Sequence, residues 1–289
     1  MSRHAGLSLL PSLLLVGVTA VWGWTFVVVK AAIARYPVVA FLGVRFVLAA
    51  IVLWTIVTLL KLGRGAVIPG LGIGVVLALG YLLQTLGLQR TTVANTGLLT
   101  GLFVVFTPIL DRLIFQVPTR AGTWAGILVA FAGTGLLTGG APGGLHPGDV
   151  LVVLGSIAFA LHITLLSRFA GLGPLRLAAW QMTAAAVLLL VGSMSVRTSI
   201  FPIPASVWPA LLITGIFASA LAFWIQTWAQ QRIVASRAAL ILTTEPAFTV
   251  LFAFWLAGER FTLVQALGAA LILGALFYNE TRERRPLPA

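Results

Sequence analysis

Charge is what this sequence has least of. Asp, Glu, Lys and Arg together make up 8% of the 289 residues, against 60% hydrophobic ones. A soluble domain carries about 25% charged residues, so a water-exposed fold is excluded and nearly the whole chain must sit in lipid. Cysteine is absent. That rules out a disulfide framework, a thiol nucleophile and a thiolate metal site. Acidic residues number six, and Glu245 alone lies deep in an apolar segment. An intramembrane enzyme acting on lipid-linked substrates needs a cluster of carboxylates or histidines. Here only Glu245 and His162 are deep, and they fall on different segments. No nucleotide-binding loop is present either. The glycines at 70–74 lack the strand–turn–helix setting of a dinucleotide motif, so neither ATP hydrolysis nor a cofactor is expected. The formal charge of +12 does not mark a nucleic-acid surface, because the basic residues stand singly between apolar runs.

What is present is apolar length. Ten spans of about 20 residues are each long enough to cross a membrane as a helix: 9–29, 38–60, 67–89, 94–115, 120–138, 149–167, 175–195, 207–230, 235–256 and 262–279. The first resembles a signal peptide only superficially. It is too long, holds Trp22 and Trp24, and lacks a small-residue cleavage site. Short connections hold the Gly, Pro and charged residues, as in ARYP at 34–37, KLGRG at 61–65 and QVPTR at 116–120. The positive-inside rule sets the orientation. With the N-terminus inside, 12 lysines and arginines fall on inner segments and 5 on outer ones, with Arg45 within the second span. Both termini are therefore expected in the cytoplasm of a cell bounded by this membrane.

The uncharged break GGAPGGLHPG, 139–148, divides the chain into two similar parts, 1–138 and 149–289. Gln84-Thr85 and Gln89-Arg90 recur 142 residues later as Gln226-Thr227 and Gln231-Arg232, and Gly126 recurs as Gly268 at the same offset. The early spans pair less well, with Arg45 opposite Gln181. Five spans per part is an odd number, so the second part must enter the membrane from the opposite side. The fold expected is an all-α integral membrane protein of ten transmembrane helices, arranged as two inverted five-helix repeats. A site at their interface is the usual consequence.

The stretch Ser236–Arg260 is where chemistry concentrates. At ~1.5 Å per residue, Glu245 lies ~13 Å along it, near the middle of a hydrocarbon layer of ~30 Å. A carboxylate there is costly unless paired, hydrogen-bonded or facing a wet cavity. Pro246 adds a missing amide and a clash with the carbonyl of Leu242, and transporters build sites from such interrupted helices.

With AVWGWTF at 20–26, Arg45-Phe46 in the second span, TEPAFTVLFAFWLAGERFT at 244–262 and the duplicated five-helix unit, the sequence resembles the drug/metabolite transporter superfamily, in its EamA-type ten-helix branch. The resemblance covers nearly the whole chain. It implies export of small metabolites, with amino-acid exporters prominent, and by overall look an exporter of aromatic or other neutral amino acids in a bacterial inner membrane. One departure stands out: the fourth span has Thr107-Pro108 where the family's repeat often has Glu-Pro, and Asp111-Arg112 follows. The two halves are thus chemically unequal, against a two-carboxylate mechanism.

Candidate substrate-binding residues follow from position and type. Glu245 either receives a substrate ammonium, carries a coupling proton, or bonds backbone freed beside Pro246. Thr243 and Thr244 flank it and either donate to a carboxylate or back-bond within their helix. Arg45 either clamps a carboxylate in two-pronged fashion, snorkels outward or pairs with Glu245. Tyr81 and Gln84 share a helix face, as do Gln226 and Gln230, and Trp224 and Trp228. Aromatic area beside amide groups suits an amphipathic solute; the alternatives are interhelical bonding and lipid contact. Trp22 and Trp24 lie about 200° apart around their helix, so at most one faces a cavity, and Trp24 is taken as the candidate. His162 either relays protons or packs. Trp180 opens the seventh span, either toward substrate or as an interfacial anchor. Asp111, Arg112, Glu259 and Arg260 near span ends are assigned to gates or topology. Gly97/Gly101, Gly122/Gly126 and Ala266/Ala270/Gly274 are expected to allow close helix packing. The resulting expectation is a secondary exporter working as a monomer by alternating access. A facilitative pore and the intramembrane enzyme are the alternatives.

Overall fold

The computed structural model describes residues 9–63, 65–116, 121–139, 146–232, 241–242 and 244–283, and all regular structure among them is helical. Thr243, Arg64, Arg120, Arg237 and most of the 139–148 break lie outside the described residues. A chain this apolar has no water to satisfy its backbone in the bilayer, and helices satisfy it internally.

The elements are α1 (Leu9–Ile33), α2 (Val38–Leu59), α3 (Val67–Arg90), α4 (Val93–Thr100), α5 (Phe103–Phe115), α6 (Ala121–Gly139), α7 (Pro147–Phe169), α8 (Pro174–Ser195), α9 (Trp208–Leu212), a π-helical segment (Ile213–Leu221), α10 (Ala222–Gln230), α11 (Thr244–Leu256) and α12 (Leu263–Glu283). Among the described residues, seven stretches are long and apolar enough to cross a membrane: Leu10–Ile33, Val38–Leu59, Val67–Arg90, Val93–Ile114, Pro147–Leu166, Pro174–Ser195 and Ala205–Gln230. Shorter apolar helices, Trp124–Leu137, Thr244–Leu256 and Leu263–Ala275, stand where the fifth, ninth and tenth spans were expected. The protein is an all-α integral membrane protein.

Two spans differ from plain helices. The fourth is α4 and α5 joined at Gly101-Leu102, where the amides of Leu102, Val104 and Val105 bond three residues back rather than four. The eighth widens into the π segment over nine residues, a rare geometry that collects at functional sites.

Polarity is distributed inside out. Large apolar side chains such as Ile51, Leu59 and Val187 face outward, whereas Arg45, Gln84, His162, Gln181, Gln226 and Glu245 are buried. The main packing runs between the first and second parts of the chain. Helix α3 lies on α7 and α8, α2 on α8 and the π segment, α1 on α11 and α10, α4 on α11 and α7, and α6 on α12. Small residues set these approaches. A Cβ on Gly97 would lie 2.3 Å from Thr249 Cγ2, so α4 and α11 meet only because Gly97 has none. The expected stripe Ala266/Ala270/Gly274 is not the packed face of α12. Ala266 and Ala270 are exposed and Gly274 has open space beside it. The face against α6 is instead Gly268, Ala269, Ile272 and Ala275, with Gly268 against the backbone of Gly133 and Leu137.

Candidate functional site

A cavity opens where α1, α2, α3, α4–α5, α7, α10 and α11 converge. From α1 it receives Trp22, Thr25, Phe26 and Val29, which are spaced i, i+3, i+4, i+7 along one helix face. The same spacing explains why Trp24 is not among the lining residues: it lies about 200° around the helix from Trp22.

Arg45 enters from α2. Its Nε–H donates to Ser219 Oγ at 2.8 Å and Nη2 donates to Tyr81 OH at 3.4 Å. The guanidinium carbon lies 4.6 Å from the Tyr81 ring centroid and 5.6 Å from that of Phe46, a cation–π arrangement. A guanidinium has five N–H donors, and among the described residues the remaining donors have no partner. Arg45 makes no ion pair with Glu245, and its buried position excludes snorkelling to the surface.

Tyr81 and Gln84 come from α3, as their shared face requires. Tyr81 packs edge-on to Phe46 and Phe159, both at 5.2 Å, and Phe223 joins at 6.2 Å. Trp22 packs at 5.3 Å on Phe223 with the rings tilted by 45°, and donates its indole N–H to Ala218 O at 2.8 Å. Gln84 Nε2 donates to Thr100 Oγ1 at 2.9 Å. His162, Gln226 and Glu245 also line the cavity. His162 Nε2 is 2.8 Å from Gln181 Oε1, and Gln181 Nε2 donates to Leu177 O. Gln226 Oε1 is buried without a hydrogen-bond partner. The Glu245 carboxyl, on a residue 6% exposed, has no hydrogen-bonding or ion-pairing partner among the described residues.

The space left open to the centre of a water-sized sphere is about 60 Å³. One water needs roughly 10–15 Å³ by that measure, so the cavity as it stands has room for a few waters.

Of the expected residues, Arg45, Tyr81, Gln84, His162, Gln226 and Glu245 line the cavity, and Trp24, Trp180, Trp224 and Thr244 do not. Trp180 packs edge-on to Trp54 at 4.9 Å and lies against Gly70. Trp224 is displaced by its neighbour Phe223, which takes the inward face with Gln226. Thr244 bonds Thr19 across α1 and α11 at 2.9 Å. Reading the sequence missed Trp22, Thr25, Thr100, Phe159, Phe223 and Ser219. The α1 face was recoverable from the spacing of Trp22, Thr25 and Phe26; Ser219 was not, because the π segment that turns it inward has no sequence signal.

Beyond the lining residues Val29 and Leu88, side-chain bonds hold the turn between α3 and α4. Lys30 Nζ donates to Leu88 O at 2.5 Å and Thr91 O at 2.6 Å. Glu259 accepts the amides of Val93 at 2.6 Å and Ala94 at 2.9 Å. A carboxylate is favoured at this helix N-terminus and a cation at the C-terminus of α3. Asp149 accepts from Thr91 Oγ1, Asn95 Nδ2 and the His146 amide. Thus two carboxylates from beyond the 139–148 break grip one turn of the first part. Arg260 instead stacks on Phe254, and Arg112 is exposed.

An all-helical membrane fold with a buried, mostly apolar cavity that holds a few polar and charged side chains from both parts of the chain is the architecture of a transport protein. Comparison with known proteins agrees. The model of the EamA-like transporter family matches residues 9–139 and again 146–280, and the chain belongs to that family. A transporter of Archaeoglobus fulgidus, itself uncharacterized, is 36% identical over 267 residues, covering 92% of this chain and 84% of its own. The inner membrane transporter YedA of Escherichia coli K12 is 28% identical over 267 residues, covering 89% and 86%. YyaM of Bacillus subtilis is 29% identical over 281 residues, covering 91% and 92%. A solved crystal structure at 20% identity superposes with a TM-score of 0.68 over 94% of this chain and 98% of its own, a likeness of fold.

Proposed function

We propose that this transporter is a secondary exporter of aromatic or other neutral amino acids, acting as a monomer in a bacterial inner membrane with both termini in the cytoplasm. The observation that carries the reading is the pairing, in one apolar-walled cavity, of a guanidinium with donors to spare and a carboxyl with no partner among the described residues. A zwitterion matches both. Its carboxylate meets Arg45 through charge-assisted bonds, and its ammonium meets Glu245 and the unpartnered oxygen of Gln226. Its side chain lies against Trp22, Phe159 and Phe223, where aromatic area is gained without leaving a polar group unsatisfied. Glu245 doubles as the site of proton coupling when it exchanges its cation.

Alternating access follows from ten spans in two inverted halves, 1–138 and 149–289. Two facts support the halves. The family model matches the chain twice. The packing pairs also interconvert when each span is exchanged for its counterpart: α2 with α8, α4 with α11 and α6 with α12 map onto themselves, and α3 with α7 maps onto α10 with α1. The Glu259 and Asp149 grips on the α3–α4 turn close the outer side, and their release opens it.

Counterflow in proteoliposomes tests the function. Vesicles preloaded with unlabelled phenylalanine should accumulate labelled phenylalanine faster than empty ones. Flux that responds to an imposed pH gradient and is lost in Glu245→Gln assigns coupling to that carboxyl. Absence of exchange for every amino acid tried would overturn the substrate class while leaving the transporter assignment intact.

A further inference from the structure

The π segment carries two consecutive groups that reach across to the first part of the chain. Ala218 O accepts from the Trp22 indole, and Ser219 Oγ accepts from Arg45 Nε–H. Both residues are fully buried. Within the segment Gly215 sits against Leu48 and the carbonyl of Arg45 itself, where a Cβ would come within 2.9 Å and 3.1 Å. The wide turn therefore approaches the backbone of Arg45 and holds the Nε of its guanidinium at once.

This grip answers a question the aromatic contacts leave open. The guanidinium carbon lies over the Tyr81 ring, but that contact does not set the rotation of the fork, because the ring face is a broad, weakly directional acceptor. The Tyr81 hydroxyl contact, at 3.4 Å, is too long to set that rotation. The 2.8 Å bond from Nε to Ser219 is short and directional. It occupies the Nε–H of the side-on edge, whose other donor is the Nη2 N–H that faces Tyr81, and leaves the end-on edge, Nη1 and the second N–H of Nη2, to a planar carboxylate.

We infer that Ser219 is a specificity-determining positioning residue: it turns the end-on edge of the Arg45 fork into the cavity, so that solutes bearing a carboxylate are selected over the corresponding amines. The inference rests on the reading that Arg45 receives the substrate carboxylate. It also gives the π geometry a purpose, since a regular helix over Ile213–Leu221 would carry Ser219 around the axis by about 100° per residue of register.

The test compares phenylalanine with phenethylamine, which has the same ring and ammonium but no carboxylate. Binding of each to purified protein is measured for the wild type and for Ser219→Ala, Ser219→Thr and Arg45→Ala, with thermal melts as a control on folding. In the wild type phenylalanine binds more tightly. Arg45→Ala should erase that preference, Ser219→Ala should reduce it by about tenfold, the scale of one charge-assisted bond, and Ser219→Thr should restore it, because its hydroxyl can accept the same bond. Loss in Arg45→Ala with the preference intact in Ser219→Ala would overturn the positioning role and leave the substrate reading standing. An equal fall in the binding of both ligands in Ser219→Ala, without a change in preference, would also overturn it, as the mark of general loosening. A wild type that does not prefer phenylalanine would overturn the reading and the inference together.

Discussion

Glu245 and Arg45 were legible as residues because charge inside an apolar span is costly enough to need a reason, and both are found in the cavity wall. The tryptophans were not legible in the same way. An indole is at home against lipid, in a core or in a pocket, so residue type decides nothing and only the helix face does. Trp22 faces in and Trp24 does not; Trp180 packs on Trp54. The residue that carries most of the account is Glu245. Glu245→Gln keeps its shape and removes its charge. The expected outcome is a fall in amino-acid affinity of at least about tenfold, since a charge-assisted bond is worth about 1.5–3 kcal/mol, with little change in thermal stability. Glu245→Asp should retain part of the affinity. Binding and melting measured on the same preparations check this.

At the scale of elements, the spans read from hydropathy fall close to the helices. The second span, expected at 38–60, is Val38–Leu59, and the seventh, expected at 175–195, is Pro174–Ser195. The irregularities were not readable. The break at Gly101-Leu102 and the π segment lie in runs whose composition is that of any apolar helix, and what selects them is long-range packing. The same holds for small residues. Gly97 meets Thr249 as its GxxxG spacing led one to expect, whereas the Ala266/Ala270/Gly274 repeat faces outward, because spacing gives a stripe but not the side on which a partner lies. Gly97→Ala should destabilise the fold by about 1–3 kcal/mol through overpacking, seen as a lower melting midpoint in detergent. Adding Thr249→Gly should recover part of that loss, as a coupled pair requires. The bonds that hold the α3–α4 turn make a separate prediction. Glu259→Ala removes both bonds to the N-terminus of α4 while leaving Lys30 in place. It should shift the protein toward an outward-open state by about tenfold, since those two bonds are worth about 1–3 kcal/mol together. A single cysteine at Arg90 in that background should then react faster with a membrane-impermeant maleimide added outside.

At the scale of the whole molecule, the repeat was faintly visible in Gln84-Thr85 and Gln226-Thr227 and faded toward the early spans, where Arg45 faces Gln181. The proposed inverted halves need equivalent shapes, not equivalent side chains, so divergent chemistry would erase a sequence signal that packing keeps. The pairing of α2 with α8, α4 with α11 and α6 with α12 is what such halves would retain. Orientation rests on the lysine and arginine imbalance. The chain has no cysteine, so single-cysteine variants report cleanly. Gly63→Cys should label with an impermeant maleimide only after permeabilisation and Arg35→Cys in intact cells; the reverse pattern would invert the topology.

The same cysteine-free background supplies the most direct test of the central claim, that one cavity between two halves opens alternately and binds an amino acid. Thr85 lines the cavity and is 2% exposed, and Thr85→Cys is a near-isosteric change. In oriented vesicles the account predicts labelling of that cysteine by an impermeant maleimide applied from either side, with phenylalanine slowing the reaction from both. Labelling confined to one side under all gradients, or a rate that no amino acid changes, would contradict it.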